Sequence, residues 1–68
     1  MKRGTYVLVQ RTGFVPYFLS AWHDEEDTWD HLRSRALVLD GDTARRIQRA
    51  LHAKNPFAPL PVEIESAT

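Results

Sequence analysis

Apolar and polar positions alternate along this chain in short blocks, and the period of each block predicts an element. Thr5-Tyr6-Val7-Leu8-Val9-Gln10 is β-branched and aromatic, and apolar on both alternating faces. That pattern predicts an interior strand rather than an edge. Arg11-Thr12-Gly13 supplies a turn, and Phe14 to Trp22 resumes β character, so the two blocks read as a hairpin. Pro16 cannot donate to a ladder, which places it at an edge or a bulge near the start of the second strand. Strict alternation puts Phe18, Ser20 and Trp22 on one face and Tyr17, Leu19 and Ala21 on the other. His23-Asp24-Glu25-Glu26-Asp27 is the most polar stretch and is expected to be a loop, leading into one helical turn through Trp29 and Leu32. Ala36-Leu37-Val38-Leu39 reads as a third, brief strand.

A helix is predicted from Gly41 to Lys54. Asp40 is a suitable N-cap, Asp42 sits in the first turn, and Ala44, Ile47 and Leu51 recur at helical spacing with Ala50 on their flank. Asn55-Pro56 stops it, since a residue before proline avoids the α region. After the prolines at 56, 59 and 61, the alternation of Leu60, Val62 and Ile64 with Pro61, Glu63 and Glu65 predicts a half-buried closing strand, with Ser66 to Thr68 fraying. The expected fold class is α+β: a small, mainly antiparallel sheet of three to four strands with one helix on one face, in the order β-β-β-α-β.

Length and composition narrow this further. The 68 residues make a single domain over 1–68, and a chain this short buries only about 60% of its unfolded surface. The absence of cysteine excludes disulfides, thiolate zinc sites and thiol nucleophiles. Nine basic and nine acidic side chains balance to a net charge of zero, which argues against a strongly basic nucleic-acid binder. No apolar run reaches the length of a membrane span, and no apolar segment follows Met1-Lys2-Arg3, so no signal peptide is read and a cytoplasmic location is expected.

The blocks Tyr17-Phe18-Leu19-Ser20-Ala21-Trp22, Ala36-Leu37-Val38-Leu39-Asp40 and Val62-Glu63-Ile64-Glu65, with the helix carrying Ala44 and Ile47 between the last two, resemble a diffuse group of short phage and prophage proteins. The resemblance spans most of the chain and implies the same β-β-(β)-α-β pattern in a mobile-element setting, without catalytic residues. Small anti-CRISPR proteins are similar in size, surface charge and lack of catalytic apparatus. What that similarity implies is a non-enzymatic protein that blocks a surface of a host protein or complex, in the host cytoplasm. The segment from Asp24 to Arg35 is longer than the compact loop of that pattern, which draws attention to it.

Three surfaces compete for a functional role. Asp24, Glu25, Glu26, Asp27 and Asp30 form the densest charge cluster, with Trp29 inside it. Such a patch docks on a basic groove, and tryptophan beside charge is a frequent interface anchor. The plainer alternative is a solvated loop whose tryptophan folds back on a thin core. Arg45, Arg46 and Arg49 share the outer side of the helix and suit phosphate contact, although an amphipathic helix needs a charged outer side in any case, and Asp42 is spaced to pair with Arg46. The sheet face away from the helix is the third surface and suits a homodimer or a virion-assembly contact. His23, Asp27 and His31 align only on a helix, match no recognised metal spacing, and leave His52 remote, so no metal is expected. Ser20, Ser34 and Ser66 lack any nucleophile signature and the glycines form no phosphate loop, so neither enzyme activity nor a cofactor is expected.

Overall fold

The computed structural model describes residues 4–11, 14–24, 26–54 and 62–67. It confirms an α+β domain, built on an antiparallel sheet of five strands with one helix across one face. The elements run β1 (Thr5–Arg11), β2 (Pro16–His23), β3 (Glu26–Asp30), a 3-10 turn (Arg33–Arg35), β4 (Leu39–Asp40), α1 (Gly41–Lys54) and β5 (Val62–Ser66). No helix among the described residues is long and apolar enough to cross a membrane.

The apolar block at Thr5 to Gln10 forms the centre of the sheet, as its two-faced pattern requires. Val9 is paired at once with Phe18 of β2 and Glu63 of β5, and Tyr6 at once with Leu39 of β4 and Ser66 of β5. A residue has only two edges, so β5 runs along one side of β1 while β2 and then β4 share the other. β3 lies outside β2 and pairs with it alone among the described residues.

The helix occupies the span its periodicity predicts. Asp40 Oδ1 accepts from the Thr43 amide at 3.0 Å, capping a donor that the first turn leaves without a partner. Ala44, Ile47 and Leu51 are buried and meet Leu8, Leu19 and Val62 from the sheet. Tyr6, Trp22, Trp29, Leu37, Leu39 and Ile64 close around this core.

Five expectations are corrected. The acidic stretch is not simply a loop: His23 ends β2, Asp24 turns, and Glu26–Asp30 form a strand. Asp24 adopts φ 50°, the left-handed conformation that short hairpin turns demand and aspartate tolerates. Trp29 and Leu32 do not start a helical turn; Trp29 lies in β3 and a 3-10 turn comes at Arg33–Arg35. The third strand shrinks to Leu39–Asp40, and Ser66 is paired with Tyr6 while Ala67 donates to the Thr5 carbonyl at 2.9 Å, so neither frays. The predicted stop at Asn55-Pro56, the turn residues Thr12 and Gly13, and Leu60 lie outside the described residues.

The fifth correction concerns side-chain direction in β2. Between Leu19 and Ala21 the pairing shifts by one residue, and Ser20 is the extra residue of a bulge. A bulge inserts one position and reverses the facing of everything after it. Leu19 and Trp22 therefore both join the helix-side core, although strict alternation sets them on opposite faces. The Ser20 hydroxyl donates to the Thr28 carbonyl across the irregularity, at 3.1 Å.

Candidate functional site

The outer sheet face is not open. Val7, Val9 and Phe18 are 2%, 0% and 6% exposed, with Ala36 and Ala67 packed against them. Arg33, projecting from the 3-10 turn, completes the cover. Its guanidinium lies 5.7 Å from the centre of the Phe18 ring, and it donates to Glu65 Oε1 and to the Ser66 carbonyl, each at 2.6 Å. Arg11 adds bonds to Glu65 at 2.7 Å and Glu63 at 3.3 Å. The closing strand is thus held on its charged side by two arginines from distant parts of the chain. A homodimer through this face loses the apolar surface that motivated it.

The acidic segment is distributed through the β2–β3 hairpin. Asp27 and Trp29 share the helix side of β3, because residues two apart in a strand face the same way. The Trp29 indole N–H donates to Asp27 Oδ2, and Lys54 Nζ at the end of α1 donates to Asp27 Oδ1 at 2.9 Å. Trp29 is half-buried against the helix-side core, so it is a packing residue rather than a free anchor. Asp30 accepts from the Leu32 amide at 2.9 Å, closing the turn that leaves the strand, and Arg35 lies 3.6 Å from its other oxygen. What remains displayed is the hairpin tip: Asp24 beside His23 at 3.3 Å, and Glu26. Glu25 lies outside the described residues.

Burial raises the Asp27 carboxyl pKa, but the hydrogen bonds from Trp29, Lys54 and its own amide, with the charge of Lys54, outweigh this and leave it below 3.8. A carboxylate depressed in the folded state contributes stability that is fully present above its unfolded value. That contribution disappears as pH falls through the folded pKa. An acid titration of the wild type followed by tryptophan fluorescence is expected to show the hairpin loosening below pH 3.8, with Asp27→Asn removing that step. An unchanged acid profile in the variant would contradict the bracing role.

The arginine stripe is differently placed. Arg45, Arg46 and Arg49 are exposed and line, with Asp42, an open groove of about 300 Å³ on the outer side of α1. None of the three forms an ion pair with a described residue, and the spacing of Asp42 to Arg46 does not bring them into a salt bridge. A second groove, of about 380 Å³, runs between Trp22 and the Ala50, Ala53 and Lys54 end of the helix. His23, Asp27 and His31 do not converge, and no metal-binding group of side chains occurs among the described residues.

These features define a small α+β domain with a braced acidic hairpin and, on its helix, an arginine face without ion-pair partners among the described residues. No family model matches the chain, and neither a curated protein nor a solved structure shows significant similarity to it.

The pairs Arg33 with Glu65 and Lys54 with Asp27 were not legible beforehand. Each joins residues far apart in sequence, and only the strand order brings them together.

Proposed function

We propose that this chain is a non-enzymatic binding protein that acts by occupying a surface of a partner protein, with the β2–β3 hairpin as its contact. The observation that carries this reading is the double hold on Asp27, by Trp29 from within the hairpin and by Lys54 from the helix. It ties the hairpin to the rest of the domain and presents Asp24 and Glu26 from a shape already fixed. A contact ordered before binding loses less conformational entropy when the partner arrives. Occlusion of a host protein or complex, in the manner of a phage-encoded or anti-CRISPR-like inhibitor, is the form of this function that the resemblance to short phage proteins favours. Reversing the tip charges in the double variant D24K/E26K is expected to lower partner recovery from host lysate by about tenfold or more, with the circular dichroism spectrum unchanged. Equal recovery by the variant would rule the hairpin out as the contact.

One observation favours a second reading. Arg45, Arg46 and Arg49 are left without ion-pair partners among the described residues, whereas Asp27, Asp30, Glu63 and Glu65 are all engaged. A helix face of three unengaged guanidinium groups suits phosphate contact. Three phosphates neutralised on duplex DNA would give a slope of about −2.7 for log K against log salt. Anisotropy titrations of labelled duplex and single-stranded DNA and RNA at two salt concentrations measure that slope. No binding at low salt would remove the nucleic-acid reading and leave the protein partner alone.

A further inference from the structure

Apart from the two-residue β4, the described strands with a single neighbour are β3 and β5, and the chain treats their outer edges differently. On β5, the ladder to β1 turns the main chain of Val62, Ile64 and Ser66 outward, because the amide of Ala67 and the residues between them face β1. Side chains then cap the two ends of this edge, at Val62 and Ser66. Gln48 Nε2 donates to the Val62 carbonyl at 2.7 Å, the Val62 amide donates to His52 Nε2 at 3.1 Å, and Arg33 donates to the Ser66 carbonyl. Unpaired strand edges invite pairing with other chains, and capping them with side chains removes the invitation.

No such caps stand on the main chain of Trp29 in β3 among the described residues. Asp27 and Trp29 are two residues apart in β3, so their main chains face the same way along the ladder. Beyond the bulge the opposing pair is Leu19 and Trp29, and the Leu19 carbonyl accepts from Leu37 on the far side, so Trp29 faces outward, and Asp27 with it. The Asp27 amide is covered by its own carboxylate. The Asp27 carbonyl and both main-chain groups of Trp29 are left without a capping side chain among the described residues.

A second copy is a poor occupant for this edge. Antiparallel self-pairing centred on Thr28 sets Glu26 of one chain against Asp30 of the other, and like charges directly opposite are destabilising. Asp30 is partly offset by Arg35, so the charge that attracts a strand of opposite sign is chiefly that of the exposed Glu26, with Asp24 next to it at the tip. We infer that the β3 edge accepts an extended, basic segment of a partner protein as an added antiparallel strand. Alternate lysines or arginines of that segment lie over the Glu26, Thr28 and Asp30 side, and apolar residues lie toward Trp29. Main-chain bonds give such a complex its affinity, and the alternate side chains give its specificity. This rests on the hairpin reading above and names the partner chemistry for it.

The test uses the full chain and a fluorescein-labelled heptapeptide of alternating lysine and valine. Two further versions carry N-methyl groups, one on the lysines and one on the valines, which block opposite edges of the peptide without altering its charge. One methylated version is expected to lose about tenfold or more in affinity while the other binds like the parent. Hydrogen exchange at the Trp29 amide is expected to slow by about tenfold at saturation. Equal binding by both methylated peptides, or unchanged exchange at Trp29, overturns strand addition. If D24K/E26K still loses its lysate partner in that case, the hairpin contact survives and only its mode is wrong. If D24K/E26K keeps both its lysate partner and full peptide affinity, the contact itself is wrong and the inference falls with it.

Discussion

Leu8→Ala is expected to remove most or all of the stability of this domain. Leu8 has no exposed surface, lies in the strand paired on both sides, and meets the helix residues Ala44, Ile47 and Leu51 in one cluster. Truncating a fully buried leucine costs about 2–5 kcal/mol, through lost transfer energy and the cavity left behind. A chain of this length has a total stability of about 3–10 kcal/mol. With no disulfide to limit the unfolded state, nothing offsets that loss. Urea denaturation measures it directly. Val38→Ala is the matched control, because Val38 is 59% exposed and its truncation is expected to change stability by less than about 0.5 kcal/mol. Comparable midpoint shifts for the two variants would mean that the core is elsewhere.

The second large effect is expected at Trp29, where packing and hairpin geometry meet. Its ring lies across from Leu19 and covers the helix-side core, while its indole N–H holds Asp27. Trp29→Ala is expected to cost about 3 kcal/mol, the low end for a large aromatic because the side chain is only half-buried. Trp29→Phe keeps an aromatic ring against the core and deletes only the donor, so a loss of about 1 kcal/mol is expected. The two variants therefore separate apolar cover from the hydrogen bond in one denaturation series. Equal losses would assign the whole effect to the bond with Asp27. Two neutral variants would contradict the bracing of the hairpin altogether.

That Trp29 holds Asp27 could not be read from the stretch Asp24 to Asp30, although both residues stand out in it. Five carboxylates within seven residues carry the local signature of a solvated loop. They became a turn and an edge strand because Thr28 and Trp29 pair with Ala21 and Leu19, and because Lys54 supplies a counter-charge from the end of the helix. The candidate site was legible as a charged segment. Which of its carboxylates are engaged and which displayed depended on partners up to 27 residues away. The position of the arginine face was legible, since helical periodicity alone sets Arg45, Arg46 and Arg49 opposite Ala44, Ile47 and Leu51, but the spacing of Asp42 to Arg46 did not become a salt bridge.

Local patterning determined the helix from Gly41 to Lys54, its aspartate cap, its buried stripe, the central position of β1 and the α+β class, because each follows from periods and propensities within a dozen residues or so. The tertiary structure alone decided the bulge at Ser20, the strand at Glu26–Asp30, the packing of Ala36 and Ala67 on Val7, Val9 and Phe18 with Arg33 over the Phe18 ring, and the difference between the β3 and β5 edges. All of these depend on pairing between segments far apart in the chain. A strand's register and its side-chain partners are fixed by the total of those contacts, and no window of neighbouring residues contains it.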